Sequence, residues 1–415
     1  SSHLGSRRFG SRHLGSGVDL PIQAAGGNRV RILPTICPGS GQAAFMEPKT
    51  QAETTQPGTK QPDVPKTQAF VTTKKGLSVE SQEVERPACG PSDVVVEIIA
   101  SGLCRSDLDV MLDDFGRSQF PVVCGHEGIG RIVEIGSKVR TREVGQLVAL
   151  GWMRDSCQSC RCCNSARENI CPRMLEYAAR SFNAQQGTFA EFCVSPEKFA
   201  TPIPKGLDPV SGAPLICAGL TVYTPLATYA THVSRVLIVS LGGLGGMALQ
   251  FAAKMGCEVV CMSRGPKKKE QALALGAHSH IDSTSQEQLK ASKGQFDLIL
   301  DTSPATADMG VMLDLLAANG RYVTVGLPTD GKSMKIPNLG LVPEAKGVAG
   351  SVVGSISQIE DMMIFAARHG IVADCETMPM SQLNEALQML DEGRNQKMRI
   401  VLVREEKLEA YRSGK

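Results

Sequence analysis

The chain has 415 residues, which is long enough for two domains with their own cores. Its formal net charge of +2 at pH 7 is too small to favour nucleic acid or an anionic membrane as a partner. No apolar run approaches the roughly 18 residues that a membrane helix needs. The 14 cysteines, with one cluster at metal-ligand spacing, indicate a reducing compartment, and we expect the cytoplasm.

Residues 1–65 are rich in Gly, Ser, Pro, Thr and Gln and show neither helical nor strand periodicity. Such a segment buries too little apolar surface to offset the entropy of ordering, so this leader is predicted to be disordered. Its first 18 residues carry Arg7, Arg8 and Arg12 without an acidic residue, which faintly resembles an organelle transit peptide. We interpret it as a leader without function. Met46 is an alternative position for the start of translation, and targeting to an organelle is a second alternative.

Two strands are predicted next, at 69–71 and 93–100. A Cys-Arg-Ser-Asp run, residues 104–107, follows the second of them, and a Gly-His-Glu run, residues 125–127, precedes a strand predicted at 129–136. Each run has an ordinary interpretation alone, because a lone Cys is usually buried packing and a lone His is more often a core or surface residue than a ligand. We expect the neighbouring Cys124 to be a packed, unliganded thiol.

A cysteine-rich lobe follows, in which four cysteines have the frame C-x2-C-x2-C-x7-C. Two residues between thiolates let a turn aim both sulfurs at one zinc ion, and sites made only of cysteine are closed and structural. The alternative, a local disulfide knot or unligated thiols, is disfavoured because nothing else marks a secreted domain. Cys162 is out of register and is interpreted as a free thiol. The predicted ligands are Cys157, Cys160, Cys163 and Cys171.

A nucleotide-binding fold is predicted further along the chain. A strand at 234–240, a glycine-rich turn, a helix at 247–255 and a strand at 258–262 follow one another, and this context makes the glycine pattern informative. Ser240 stands where the motif has its first glycine, so we expect a strained turn and weaker cofactor binding. The repetition of strands and helices predicts a parallel, doubly wound sheet. Its other elements are strands at 296–301 and 321–326 and helices at 267–275 and 307–318.

The end of the second strand of this fold indicates the cofactor. An NAD site would place a carboxylate there for the ribose hydroxyls, whereas this chain has Ser263, Arg264 and Lys268. These cations would neutralise a 2′-phosphate, which predicts NADP. The alternative is a solvated basic start of a helix, which is disfavoured because the helix dipole prefers anions at that end. Beyond this fold, helices are predicted at 358–369 and 380–390 and a late strand at 399–403.

The order of these features resembles the zinc-dependent medium-chain alcohol dehydrogenases from about residue 67 to the end. The Pro-Lys-Lys-Lys run at 266–269 and the Gly-Ser-Val-Val-Gly-Ser run at 350–355 are most similar to the cinnamyl-alcohol-dehydrogenase branch. The resemblance implies the α/β fold class, with a doubly wound Rossmann domain and a mostly-β GroES-like catalytic domain that carries a structural zinc lobe. The implied bounds are 66–217 for the catalytic domain, completed by 351–415, and 218–350 for the Rossmann domain.

The resemblance also implies two zinc ions per chain, one in the lobe and one catalytic. Two thiolates and a neutral imidazole would bring the catalytic site close to neutral and leave a position open for a substrate oxygen. Glu127 would lie behind this metal as an occasional ligand, Asp107 would accept a hydrogen bond from the imidazole, and Ser106 would take the proton of the alcohol. The implied ligands of the catalytic zinc are Cys104, His126 and Cys217.

For NADP, the resemblance implies that Arg105 contacts the pyrophosphate and that Thr221 borders the nicotinamide. Trp152, the only Trp, would line the substrate cleft, and a buried structural role is an equally good interpretation. The other implied cofactor residues are Gly242, Gly243, Leu244, Gly245, Ser263, Arg264, Lys268, Gly326 and Ser351.

The function implied is a reversible, NADPH-dependent reduction of an aldehyde to a primary alcohol by a homodimer. One departure is Asp109, which stands where many family members have a His at the solvent end of the proton relay. Two alternatives stay open: a zinc polyol or secondary-alcohol dehydrogenase, and a non-catalytic protein that binds NADP and zinc.

Overall fold

The computed structural model describes residues 64–173, 187–328 and 331–413. The leader predicted at 1–65 therefore lies, except for residues 64 and 65, outside the described part of the chain.

Strands dominate the first part of the described chain, whereas strands and helices alternate in most of the remainder. The strands are β1 (Lys66–Thr72), β2 (Glu80–Glu85), β3 (Asp93–Leu103), β4 (Val122–Val123), β5 (Gly128–Ile135), β6 (Leu147–Leu150), β7 (Phe192–Pro196), β8 (Ala200–Pro202), β9 (Arg235–Val239), β10 (Glu258–Ser263), β11 (Ser279–Asp282), β12 (Phe296–Asp301), β13 (Leu316–Thr324), β14 (Gly347–Gly350), β15 (Cys375–Pro379) and β16 (Arg399–Val403). The helices are α1 (Arg105–Met111), α2 (Pro209–Gly212), α3 (Ala218–Tyr229), α4 (Gly243–Lys254), α5 (Lys269–Ala274), α6 (Gln286–Ala291), α7 (Met309–Leu315), α8 (Ile356–His369), α9 (Leu383–Asp391) and α10 (Glu405–Arg412).

A parallel sheet with the strand order β11-β10-β9-β12-β13-β14 carries the glycine-rich turn. Its central strands β9 and β12 are almost continuously apolar and buried, as expected when helices cover both faces. Val239 at the end of β9 pairs with Met262 of β10, and Ser263 pairs with Asp282 of β11. The carboxyl ends of three neighbouring strands therefore meet at one edge, where such sheets bind dinucleotides.

A second, mostly antiparallel sheet has the order β15-β16-β3-β5-β6-β8, with β7 also paired to β3, and β2-β1-β4 form a separate three-stranded sheet. In the larger of these two sheets, strands β15 and β16 come from the end of the chain. Strand β16 pairs antiparallel with β3, so that Ile400 lies opposite Leu103. The C-terminal segment thus completes the sheet that carries the Cys-Arg-Ser-Asp run, and it places Arg399 beside that run.

Several predicted elements have different bounds in the structure, among them a helix and the strand that follows it. The helix predicted at 307–318 is shorter, Met309–Leu315, because Asp308 caps its start with its side chain. Leu316, immediately after it, already pairs with Phe296 in the parallel sheet, so strand β13 begins earlier than predicted.

Strand β7 begins at Phe192. The residues before it turn sharply: the N–H groups of Thr188 and Phe189 donate to the carbonyls of Gly125 and Cys124. This turn consequently packs against the loop that carries the Gly-His-Glu run.

Among the described residues, no single helix has the length and apolar character needed to cross a membrane. Two consecutive helical segments, Pro209–Ile216 and Ala218–Tyr229, meet those requirements only when taken together, and the chain bends by 58° between them.

Candidate functional site

The predicted ligands of a catalytic metal lie at the ends of secondary structure elements. Cys104 follows β3 and precedes α1, Cys217 precedes α3, and His126 lies between β4 and β5. One ligand atom each from these three residues and from Glu127 lie within 4.8 Å of one another. The structure therefore brings together, from three separate regions of the chain, the side chains that the sequence predicts to share a metal.

Asp107 anchors this cluster from a fully buried position. Its carboxylate accepts hydrogen bonds from the N–H of Cys104 at 3.0 Å, the N–H of Gly125 at 2.9 Å and Nδ1 of His126 at 3.0 Å. Because an ionised carboxylate only accepts, Nδ1 carries the hydrogen and Nε2 is the nitrogen that a metal would bind. Burial alone would lower the pKa of His126, but the Asp107 carboxylate and the Cys104 sulfur raise it well above its usual value.

The two thiols of the cluster have pKa values that move apart. The pKa of Cys104 is lowered well below its usual value, mainly by a hydrogen bond from the Cys217 thiol and further by His126, although burial opposes this change. The same hydrogen bond and burial raise the pKa of Cys217. One thiolate is therefore stabilised by the protein itself, and a divalent cation would displace the proton of the second.

Glu127 and Arg399 form a buried ion pair behind the cluster. Nη2 of Arg399 donates to both carboxylate oxygens of Glu127, at 2.5 and 2.6 Å. Burial raises the pKa of Glu127 to about 8, with the nearby guanidinium acting in the opposite direction. A Cβ placed on Gly243 would lie 2.7 Å from Cδ of Arg399, so this side chain also runs along the glycine-rich turn and requires glycine there. The sequence predicted only a strand at Arg399, since its partner lies 272 residues away.

The predicted proton path and pyrophosphate contact lie on α1. Ser106 is half-buried in the first turn of this helix. Asp109 is buried, and its carboxylate accepts a hydrogen bond from Nε of Arg105 at 2.9 Å. The same guanidinium lies 3.1 Å from Asp391 and 3.9 Å from Asp114. The residue predicted to contact the pyrophosphate is thus held by three carboxylates in this structure.

The four cysteines of the lobe converge as predicted from their spacing. The distances between Sγ atoms are 3.9 Å for Cys157–Cys163, 3.5 Å for Cys160–Cys163, 3.9 Å for Cys160–Cys171 and 3.5 Å for Cys157–Cys171. Four sulfurs bound tetrahedrally to zinc at about 2.3 Å would lie about 3.8 Å apart. The donor set and its spacing therefore fit a structural zinc ion, and Cys162 lies outside the group.

The glycine-rich turn joins β9 to α4. Gly242 precedes the helix, Gly243 is its first residue, and Leu244 is half-buried in its first turn. Gly245 is required for close packing, because a Cβ there would lie 2.1 Å from the carbonyl oxygen of Ser240. Ser240 itself adopts a φ of 75°, the left-handed region that glycine favours.

The basic residues predicted to bind a 2′-phosphate lie at the edge where β9, β10 and β11 end. Ser263 is the last residue of β10, Arg264 is exposed after it, and Nζ of Lys268 donates to the carbonyl of Leu241 in the glycine-rich turn at 2.5 Å. The segment after β10 contains no carboxylate near Ser263, but Asp282 of the neighbouring strand β11 also lies at this edge. Asp282 accepts hydrogen bonds from the N–H of Gly265 and from Thr284.

The remaining predicted cofactor residues lie along α3 and the end of the parallel sheet. Thr221 is buried in the first turn of α3, and its N–H donates to the carbonyl of Cys217 at 2.8 Å. Gly326 and Ser351 border a cavity of about 660 Å³ that the next turn of α3 lines through Thr224. This cavity therefore begins one helical turn beyond Thr221.

Trp152 is half-buried and lines a cavity of about 20 Å³ together with Ile216 and Leu220. Its indole Nε1 is buried without a hydrogen-bond partner in the described ranges. A purely structural Trp usually finds a partner for this nitrogen. Its position beside the residue that precedes Cys217 favours the substrate-side interpretation.

Comparison with known proteins agrees with this geometry. Residues 90–205 match the family described as alcohol dehydrogenase GroES-like domain, and residues 243–368 match the family described as zinc-binding dehydrogenase. A probable mannitol dehydrogenase of Fragaria ananassa is 39% identical over 311 residues, which cover 74% of this chain and 86% of that protein.

Among solved structures, the following two are similar to this chain over most of its length. A cinnamyl alcohol dehydrogenase from Sorghum bicolor has a TM-score of 0.75 and 31% identity, covering 82% of this chain and 98% of that one. A cinnamyl alcohol dehydrogenase from Helicobacter pylori, complexed with NADP(H), has a TM-score of 0.74 and 28% identity, covering 81% and 98%.

Proposed function

This chain belongs to the zinc-dependent medium-chain alcohol dehydrogenases, in the cinnamyl-alcohol-dehydrogenase branch, and from that premise we propose that it uses NADPH to reduce aldehydes reversibly to primary alcohols. Zinc-dependent oxidoreduction between alcohols and aldehydes is the activity of this family. The finer parts of the proposal are the choice of NADP(H), the primary alcohol as product and the presence of two zinc ions.

The observation that carries the proposal is the convergence of Cys104, His126 and Cys217 within 4.8 Å. Two thiolates and one imidazole nitrogen are the donor set of a catalytic zinc with an open position. Zinc at this point would polarise the oxygen of an aldehyde and stabilise the negative charge that develops there when NADPH supplies a hydride.

The protein's own side chains would position and move the remaining groups. Asp107 fixes the ring of His126 so that Nε2 faces the metal position, which is the usual role of a carboxylate behind a ligand histidine. Ser106, half-buried in the same helix turn, would donate its hydroxyl proton to the nascent alcohol oxygen. Asp109 lies one helical turn further and would restore that proton through water.

The choice of NADP is supported by charge at the end of β10. Arg264 and Lys268 offer a planar fork and a point charge to a 2′-phosphate. The carboxylate of Asp282 is already engaged by Gly265 and Thr284, so it is poorly placed to hold the ribose hydroxyls of NAD. The similar Helicobacter pylori structure, which is complexed with NADP(H), is consistent with this choice.

The test is a steady-state comparison of NADPH and NADH against aromatic aldehydes, aliphatic aldehydes and ketones, on protein whose zinc content has first been measured. We expect two zinc ions per chain and a higher kcat/KM for NADPH with aldehydes.

Other results would support the rival functions. Preferred oxidation of polyols or secondary alcohols with NAD would identify a polyol dehydrogenase, a possibility raised by the similar mannitol dehydrogenase sequence. Two zinc ions without turnover over the whole panel would identify a non-catalytic protein. The homodimer and the cytoplasmic location stay predictions, which light scattering of the purified protein and imaging of a tagged chain would test.

A further inference from the structure

We propose that His280 determines selectivity for NADP(H) by holding the hydroxyl of Ser263, so that the hydroxyl hydrogen points towards the 2′-phosphate. Nε2 of His280 lies 2.9 Å from Oγ of Ser263. This inference rests on the proposed use of NADP(H) and adds a positioning residue that does not itself have to touch the cofactor.

The two residues come from neighbouring parallel strands. His280 of β11 pairs in register with Cys261 of β10, so its ring lies on the same side of the sheet as Ser263, two residues further along β10. Ser263 is 8% exposed, which leaves little room for its hydroxyl to rotate or to bind water. The hydroxyl is therefore held at the strand edge where the glycine-rich turn begins.

The direction of this hydrogen bond decides whether Ser263 can bind a phosphate. A serine hydroxyl has one hydrogen and can accept as well as donate. A phosphate dianion only accepts, so it can bind Ser263 only if the hydroxyl hydrogen is not already given to His280. The arrangement suits a 2′-phosphate when His280 donates through Nε2–H, and it would suit one poorly if His280 accepted.

The neighbouring cations cannot replace this contact. Nζ of Lys268 donates a hydrogen bond to the carbonyl of Leu241, and the side chain of Arg264 is exposed to solvent. Both supply charge, which attracts any phosphate and falls with salt. A buried, oriented hydroxyl instead distinguishes a 2′-phosphate from a ribose hydroxyl by geometry.

The charge of His280 is set by groups on three elements. Burial is the main influence and lowers the pKa of His280, Lys269 of α5 lowers it further, and Asp282 of its own strand raises it. Burial also raises the pKa of the facing Cys261 thiol of β10 to about 11, so that thiol is neutral. His280 is therefore neutral at neutral pH, and acid adds a positive charge next to the phosphate position.

The test uses the zinc-loaded full chain and two fragments, 2′,5′-ADP and 5′-AMP, whose binding is measured by calorimetry without turnover. We expect His280→Phe to raise the Kd of 2′,5′-ADP about three- to tenfold, the usual effect of one neutral hydrogen bond, and to change the Kd of 5′-AMP less than about twofold. His280→Gln keeps an N–H donor and should retain most of the affinity. In a Ser263→Ala background, His280→Phe should have no further effect.

A pH series adds a second readout. As the pH falls from about 7.5 to about 5, a window that extends below the usual histidine pKa because that of His280 is lowered, the ratio of the Kd of His280→Gln to that of the unchanged protein should rise, since only the imidazole gains a proton and a charge. The titration of the phosphate itself affects both proteins equally and cancels in this ratio. A constant ratio would exclude the charge of His280 from the site.

Two results would overturn the inference alone. Unchanged or tighter binding of 2′,5′-ADP by His280→Phe would mean that His280 accepts from Ser263 or is a spectator. An equal loss for 5′-AMP would mean that the substitution only disturbs the fold. If the unchanged protein bound NADH more tightly than NADPH, the proposed function would be wrong, whatever the variants did.

Discussion

Ser240 shows how a single residue can set the shape of a cofactor turn. It has a φ of 75°, and its N–H donates to the carbonyl of Met262 at 2.8 Å while its own carbonyl lies close to Gly245. Neighbouring strands on one side and the start of α4 on the other thus hold its backbone in a region that side chains disfavour. The sequence predicted strain at this position, and the structure identifies the dihedral angle that carries it.

Replacing Ser240 by Gly should therefore stabilise the protein. We expect the free energy of unfolding to rise by about 1 kcal/mol, the strain released less the extra entropy of an unfolded glycine. We also expect a lower Kd for NADPH, because the turn can relax around the pyrophosphate. Denaturant unfolding and NADPH titration measure the two effects. Ser240→Ala is the control, since it keeps a Cβ at the same φ; an equal gain from it would locate the effect in the hydroxyl.

The role of the single residue Asp109 in proton transfer can be tested by the pH dependence of the reaction. Burial raises the pKa of this carboxyl above the usual value for aspartate, although Arg105 opposes the change. If Asp109 relays protons, kcat for alcohol oxidation should fall as the pH drops through this raised pKa, because a protonated carboxyl cannot accept the proton that leaves Ser106. Asp109→Asn should lose that acidic limb in a pH–rate profile. Asp114→Asn, another carboxylate near Arg105, is the matched control; superimposable curves for all three proteins would remove Asp109 from the relay.

At the scale of elements, local pattern decides what the sequence can predict. The unit from β9 through the glycine-rich turn to α4 is apolar, short and continuous, and it follows from the residues in order. Strand β11 has one buried residue in four, so neither periodicity nor composition predicts it. His280 and Asp282 lie on that strand, and their place beside Ser263 depends on strand order that a single sequence does not contain.

The cysteine lobe is the element whose metal content can be tested separately. Cys163→Ser should lower the zinc content by one ion per chain and lower the melting temperature, because three thiolates hold a structural zinc much less tightly than four. Metal analysis and thermal unfolding are the measurements. Cys162→Ser is the matched control, because this neighbour lies outside the group of four. Loss of zinc from Cys162→Ser as well would show that the predicted ligand set is wrong.

At the scale of the whole molecule, one buried ion pair joins regions that are far apart in the chain. Arg399 begins β16, contacts Glu127 beside the proposed catalytic metal, and leaves no room for a Cβ at Gly243 in the cofactor turn. It thus connects the antiparallel sheet, the metal cluster and the parallel sheet. A motif search finds the metal ligands and the glycines separately, whereas the contact between them appears only when the C-terminal strand returns to β3.

The ion pair makes a strong prediction about stability. Above about pH 8, where Glu127 is ionised, Arg399→Met would leave this buried carboxylate without its cation, and we expect the free energy of unfolding to fall by about 3–5 kcal/mol, the usual cost of breaking a buried pair. Adding Glu127→Gln should recover a large part of this loss, since a neutral amide no longer needs a cation. Denaturant unfolding of the zinc-loaded single and double variants gives the coupling free energy. If the double variant were as unstable as the sum of the two single variants, Arg399 would act through packing against Gly243, and the electrostatic link between metal site and cofactor turn would be absent.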